Sequence, residues 1–550
     1  MLELCRSDTS PKANIAEMRA AENECFTILE RELKQLGFPG QQVERHRISA
    51  QIERHPYFSQ LHYTKTSRRP RGLSAAEAYA GRSNLVCILP GQGESTAKNG
   101  IALNAHIDVV APFFPPSVSK GIVHGRGACD DKGPVASIVG ALKLVSELCG
   151  RQGVCLRQNV VAMFVIDEES GGNGSLSLAL DKDLKEFYNT VLVGECTGLR
   201  LHPANRGAVW YRAEMKGASA ASLFELFAFV NEELEKEGTA IRAESYHPLF
   251  PERPVQTCHG ILGGFGEHPS RICAEVRFTV RCGHSPSPET EHLIKDCLAA
   301  GLGMYIGAYG DKTKVMDPAT GRPVVSRHYE VKHVRAGFRV KVFGAAGHMG
   351  AIRERDGALT KAAYMVRSLV ASKRKLETMN RQLVKLELDA TTGNSLVLEG
   401  GQGFVPTHTM EEIMDRLRSA AERGVASYLR ECGSKESTGV RVEMSFEKLH
   451  NEAYASDPKS APVSTALAAS RICGLPQTTP LRGWAVSCDA RLFAKQNPGL
   501  TVLTFGPGQL AFAHSDQEQI SLEEVRKAAE FIAVFLLKQT GMGNLKLATT

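Results

Sequence analysis

Four short apolar runs in this chain each hand over to an acid or a histidine, and that recurrence limits the fold more than any other feature. The first lies in Ile101–Gly133, IALNAHIDVVAPFFPPSVSKGIVHGRGACDDKG, and delivers His106 and Asp108 at its end. A Gly125-Arg-Gly-Ala-Cys turn then presents Asp130 and Asp131 ahead of an apolar helical segment, Val135–Leu148. NVVAMFVI (159–166) ends in Asp167-Glu168-Glu169, and TVLVG (190–194) ends in Glu195. Leu500–Phe505 ends in Gly-Pro-Gly, with His514 following. Runs this short and this uniformly apolar read as strands covered on both faces. Alternating with helical patterns, they predict a mostly parallel, twisted α/β sheet. Open sheets of that kind place their sites beyond the carboxyl ends of the strands.

At 550 residues the chain exceeds what one core supports, so two or three domains are expected. The texture changes after Arg206-Gly207 and returns near Ser460. Between these points Val209–Lys216, Thr257–Gly264 and Ile272–Arg281 read as strands, and Ser222–Lys236 and Thr290–Leu302 as helices. A related succession follows: strand Phe338–Phe343, helix Leu359–Ala371, strand Leu383–Leu388, a turn at Gly400-Gln-Gly-Phe-Val-Pro, helix Met410–Cys432 and strand Val440–Phe446. The expected architecture is therefore one α/β domain in two parts, 1–207 and 456–550. It is interrupted by an enlarged α+β insertion that reads as a duplicated module, 208–334 and 335–455. The alternative is a single enlarged domain with an insertion.

The net charge is only +6 and no Lys/Arg-rich run stands out, which argues against a nucleic-acid partner. No apolar run approaches the roughly 20 residues needed to span a bilayer. The first residues mix charges of both signs and lack an apolar signal core, so a cytoplasmic protein without a membrane partner is expected. The 14 cysteines fit that, being scattered and without CxxC spacing.

The strand-end polar groups are His106, Asp130, Glu168, Glu169, Glu195 and His514. Two imidazoles with three or four carboxylates suit a divalent metal, zinc first and manganese or cobalt next. One carboxylate can bridge two metals about 3.5–4 Å apart. Asp108 is placed to accept the other imidazole N–H of His106. A glutamate of the Glu168-Glu169 pair left over from metal binding could deprotonate water.

HIDVVAP, HGRGACDDKG, IDEESGG, VGECTG and FGPG…AHSDQE together resemble the five motifs of the dinuclear zinc amidohydrolases. That family includes aminoacylases, glutamate carboxypeptidase, succinyl-diaminopimelate desuccinylase and cytosolic dipeptidases. The resemblance covers residues 84–210 and 480–537. It implies that His106 and Glu195 serve one metal, that Glu169 and His514 serve the other, and that Asp130 bridges both. It also implies Asp108 as partner of His106, Glu168 as general base, and a cis peptide after Asp130.

The insertion resembles that family's lid, which is the usual surface for homodimers. Gly344-Ala-Ala-Gly-His348 matches the lid motif whose His polarises the scissile carbonyl. Arg281 and Arg416 stand nearest the places of the lid Arg that holds a substrate carboxylate, although neither stretch has the Asn of the family pattern. Lys132, Arg126 and Asp131 read as structural around the turn. The implied activity is hydrolysis of an amide bond in a short peptide or N-acyl amino acid, by a metal-bound water with Glu168 as base. Dipeptidase, carboxypeptidase and deacylase remain open. The alternative is a non-catalytic metal-binding scaffold of the same fold.

Overall fold

The computed structural model describes residues 1–544, apart from 94–98, 218–219, 268, 270, 318–320, 348–354, 390–392, 433–438, 447–449 and 477–479. The chain forms two compact units. One comprises Met1–Gly207, Pro248–Pro251 and Leu449–Thr550, and the other comprises Ala208–His247 and Glu252–Lys448.

The first unit is built on a six-stranded sheet. In spatial order its strands are Gln42–Arg47, Ser83–Leu89, Asn159–Val165, Gly100–His106, Thr190–Val193 and Thr501–Thr504. The last four run parallel and the first two pair antiparallel at one edge. The edge strand Gln42–Arg47, QVERHR, is polar at all but one position. Every residue of Gly100–His106 and Asn159–Val165 is buried, because both sheet faces are covered. Val160, Ala162 and Phe164 join one core with Val135, Ile138, Leu142, Phe531 and Phe535, from helices Lys132–Gln152 and Leu522–Thr540. Val161, Met163 and Val165 join a second core with Trp484, Phe493 and Val502. Period-two alternation thus feeds two cores, which is why the runs look continuously apolar.

Helix Lys132–Gln152 is long and apolar enough by composition to cross a membrane. Its apolar stripe, Val135, Ile138, Ala141, Leu142 and Val145, is instead spent in the first core.

From Gly100–His106 the chain crosses to Asn159–Val165 on one side and then to Thr190–Val193 on the other. The neighbours of this strand are thus reached by connections running in opposite directions across the sheet, and a crevice opens at its carboxyl end. In register, His106 lies beside Val165 and Asn104 beside Val193. The residues that follow these strands therefore emerge at one level.

The second unit contains two four-stranded βαββαβ modules, and they are nested. The outer module takes strands Gly207–Lys216, Thr257–Leu262, Ser395–Phe404 and Arg441–Ser445, with helices Ala220–Glu244 and Met410–Cys432. The inner module takes Glu275–Arg281, Tyr329–Val334, Gly337–Phe343 and Lys385–Leu388, with helices Pro288–Tyr309 and Ala358–Ala371. Counting strands within each module, both sheets have the order second, third, first, fourth. The whole inner module enters between the second and third strands of the outer one. The division expected at 334/335 falls inside a hairpin of the inner module, where Val334 pairs with Gly337. Pattern alone suggests two similar modules, and the matching strand orders make them visible. The pattern does not show which loop of the first admits the second.

Gly400-Gln-Gly-Phe-Val-Pro, expected as a turn, is largely strand. Gly400 to Phe404 continue the ten-residue strand Ser395–Phe404. A Cβ on Gly400 would lie 2.3 Å from the Cys258 carbonyl oxygen and 2.7 Å from the Tyr211 hydroxyl. The glycine serves close approach of the neighbouring backbone, not reversal of the chain.

Candidate metal centre

Each polar group at the crevice has an identifiable carrier. His106 is the last residue of its strand, buried to 2% exposure, and its backbone N–H donates to Asp131 Oδ2 at 3.1 Å. Its Nε2 faces Asp130 Oδ1 at 3.0 Å. Its Nδ1 lies 3.0 Å from the backbone carbonyl of Asp108 and 3.5 Å from the Asp108 carboxylate. The carbonyl is thus the nearer acceptor of this ring N–H, where the side chain had been expected. The Asp108 carboxylate accepts the backbone N–H groups of Glu168 and Glu169, at 3.1 and 3.0 Å. Asp108 therefore orients both His106 and the acidic turn.

That turn starts at Asp167, which has φ +62°. Its side chain is gripped by Arg82 (2.8 Å) and Tyr79 (2.9 Å), and Gly172 N–H closes the turn on the Asp167 carbonyl at 2.7 Å. A left-handed aspartate is held in place by such over-determination. Glu169 Oε1 meets His514 Nε2 at 2.9 Å, and the same nitrogen lies 3.2 Å from Asp130 Oδ2. His514 itself has φ +59°. The Asp130–Asp131 peptide is cis.

Two donor groups result, each with ligand atoms within 4.8 Å of one another. One is His106, Asp130, Asp131 and Glu195, and the other is Asp130, Glu169 and His514. Asp130 belongs to both, with Oδ1 toward one imidazole and Oδ2 toward the other. The sequence places Asp131 as a structural residue of the turn, and its Oδ2 does accept the His106 backbone N–H. It stands within the first group, and its Oδ1 is buried without a hydrogen-bond partner. Such an orphaned oxygen beside a His/carboxylate donor set fits a divalent cation.

The electrostatics point the same way. Burial, reinforced by neighbouring carboxylates, pushes Glu195 and Glu168 well above the usual carboxylate range; Asp130 is the chief neighbour of Glu195, and Asp489 that of Glu168. Burial and Asp130 raise Asp131 against the pull of His106. Burial raises Glu169 although His514 opposes it. Asp130 alone goes down, because His106 and His514 overcome its burial. Burial would lower both imidazoles, yet the surrounding carboxylates hold them well above the ordinary histidine value. Like charges crowded into a partly buried crevice, relieved chiefly by protons on two rings, are what a dinuclear cation site relieves.

The other candidates stand as follows. His348 lies outside the described residues. Arg281 is half exposed and pairs with Glu387 on the next strand, at 2.7 Å. Arg416 is engaged by Glu237 at 2.6 Å and by both carboxylate oxygens of Glu244. Arg126 pairs with buried Glu518, and Lys132 donates to the Ser7 carbonyl at 2.8 Å. Asp489, which precedes the short helix Ala490–Gln496, is buried among the charges that act on Glu168. Asp167, Arg82 and Glu518 escaped the sequence reading. The only signal for Glu518 was its place in AHSDQE.

The model of peptidase family M20/M25/M40 matches residues 102–538. A probable carboxypeptidase of Emericella nidulans is 29% identical over 159 residues, which cover 26% of this chain and 36% of that protein. A peptidase M20 domain-containing protein of Schizosaccharomyces pombe is 33% identical over 127 residues, 23% of this chain and 29% of that one. The matched stretch thus spans about a third of these relatives' length. In fold, the chain is similar to human carnosine dipeptidase 1, with TM-score 0.52, 13% identity, and coverage of 98% of this chain and 95% of that one. It is also similar to the dipeptidase Dug1p of Saccharomyces cerevisiae, with TM-score 0.51, 15% identity and the same coverages. With a family model spanning most of its length, the chain belongs to peptidase family M20/M25/M40.

Proposed function

We propose that this protein hydrolyses the amide bond of a short peptide or an N-acyl amino acid with two divalent cations, zinc first. One observation carries the reading: a single buried carboxylate, Asp130, offers its two oxygens to two imidazoles that belong to separate donor groups. His106, Asp131 and Glu195 would hold one cation with Asp130, and Glu169 and His514 the other. When bound, the cations supply Lewis acidity that polarises the scissile carbonyl and acidifies water.

The protein's own residues do the rest. Asp108 fixes the His106 ring and the backbone that carries Glu168 and Glu169. Glu168 takes the proton of the attacking water and delivers it to the leaving amine nitrogen. Its raised affinity for protons suits a group that must accept one and then give it back. His348 is proposed to polarise the carbonyl oxygen. For Arg281 or Arg416 to receive a substrate carboxylate, that carboxylate would have to displace Glu387 or the Glu237 and Glu244 pair.

The names of the relatives, a probable carboxypeptidase and a dipeptidase, favour a peptide over an acylated amino acid. A cytoplasmic location and a homodimer made through the inserted unit belong to the same reading. The location is supported by 14 free cysteines, which suit a reducing compartment. Glu168→Gln tests the chemistry. Hydrolysis of a dipeptide and N-acyl amino acid panel should disappear while two zinc ions per chain remain. Full activity in that variant would sink the base, and a wild type inert on the whole panel would favour a scaffold.

A further inference from the structure

The turn carrying Asp130 is held from across the site by a residue from the other end of the sequence. Glu518 is buried to 1% exposure, and both of its oxygens are committed. Oε1 accepts the backbone N–H of Cys129 and that of Asp130, each at 3.1 Å. Oε2 accepts Nη1 of Arg126 at 2.6 Å. The Glu518 carbonyl also takes the N–H of Gly125, at 3.1 Å. Arg126 is fixed in turn. Its Nε donates to the Pro112 carbonyl at 3.1 Å, its backbone N–H donates to the Phe114 carbonyl at 3.1 Å, and its guanidinium lies 5.0 Å from the Phe114 ring centre.

We infer that Glu518, braced by Arg126, is a positioning residue that aims the Asp130 carboxylate at both cation sites. The inference rests on the reading of Asp130 as the shared ligand. Asp130 and Glu518 are 388 positions apart, and Glu518 follows His514 by four residues. The clamp thus joins the two loops that bring Asp130 and His514 together. Turning the Cys129–Asp130 peptide would swing Oδ1 and Oδ2 away from the two imidazoles. Only a carboxylate serves here, because one oxygen meets two N–H groups and the other a guanidinium. A glutamine would face one of these donors with its own NH₂ group.

The test uses the full chain and cobalt(II) as the probe, with equilibrium dialysis and the visible cobalt spectrum as readouts. The wild type should take two cobalt ions. Glu518→Gln, nearly the same shape, should bind them about 10–100-fold more weakly, the range typical of groups that orient metal ligands. Its kcat should recover at high metal with KM unchanged. Leu536→Ala, a core change in the C-terminal helix, serves as the stability control and should keep wild-type cobalt affinity. Should Glu518→Gln not accumulate as folded protein, Arg126→Lys is read the same way, because it keeps the charge but loses the bond to Pro112. Wild-type cobalt affinity in the clamp variant would overturn the inference. So would equal weakening in Leu536→Ala. A wild type that binds fewer than two cobalt ions would remove the shared-ligand reading and the inference with it.

Discussion

The inserted unit and the crevice of the first unit treat buried charge in opposite ways, although elsewhere the first unit also pairs its buried acids, Arg82 with Glu22 and Asp167 and Arg126 with Glu518. In the inserted unit, buried acids are answered by the protein's own cations. Lys361, fully buried, pairs with Asp356, and Asp356 also takes the Tyr305 hydroxyl at 2.5 Å. Buried Glu225 takes Lys373 at 2.6 Å. Even the donor-rich group Glu244, His408 and Glu412 has Arg416 on two of its members. At the crevice of the first unit, Asp131, Glu168, Glu169 and Glu195 crowd together, and burial raises all four. The opposing charge nearest them is carried chiefly by two histidines. A structural ion pair is complete as folded, whereas a ligand cluster is left short of positive charge that a metal supplies.

The contrast can be broken most sharply at Asp130. Asp130→Ala should reduce hydrolysis to background and lower the metal content from two ions to one or none, as read by elemental analysis of the dialysed protein. The matching change in the inserted unit is Asp356→Ala. It strands Lys361 in the interior and should cost roughly 3–5 kcal/mol in denaturant unfolding. Metal content should be untouched; a loss of metal there would erase the distinction between the units.

The pH dependence separates the units next. His106, His514, Asp131, Glu168, Glu169 and Glu195 all bind protons more tightly in the folded, metal-free protein than when unfolded. Raised values of either type contribute stability that is present at low pH and lost as pH rises through them. Asp130, lowered, has the opposite sign, and its contribution is lost only in acid. Metal must displace the protons, so zinc should bind more tightly at pH 8 than at pH 6, with proton release measurable by calorimetry in two buffers. The rise in melting temperature on adding zinc should likewise be larger at pH 8. A gain independent of pH would contradict the charge pattern.

Two smaller effects complete the comparison. Gly400→Ala drives a Cβ against the Cys258 carbonyl and should cost about 1–3 kcal/mol in the outer module. Arg281→Ala removes a half-exposed pair with Glu387 and should change stability by under about 1 kcal/mol. An unchanged KM would fit its pairing with Glu387, while a clear rise would give it the substrate carboxylate after all.

Much of the site was legible because the sheet writes it into the sequence. His106, Glu169 and Glu195 each follow a buried apolar run, and parallel strands bring their carboxyl ends level. Asp130 was legible from its Gly-rich turn. What stayed hidden depends on contacts between distant segments. Nothing near Glu518 shows that its oxygens reach Cys129, Asp130 and Arg126. Asp131 looked like part of a turn because sequence does not show the burial that places its carboxylate within the donor group. In the inserted unit, both modules share one strand–helix pattern, so the sequence suggests repetition but not nesting. Gly400 was misjudged because glycine marks a turn and a tight strand contact alike.

The proposed sharing of Asp130 by two cations has a direct consequence in a crystal. Zinc-edge anomalous scattering from crystals of the wild-type protein grown with zinc tests it most directly. Two peaks about 3.5–4 Å apart should flank Asp130, one against His106 and Glu195 and the other against Glu169 and His514. A single peak, or two peaks without Asp130 between them, would contradict it.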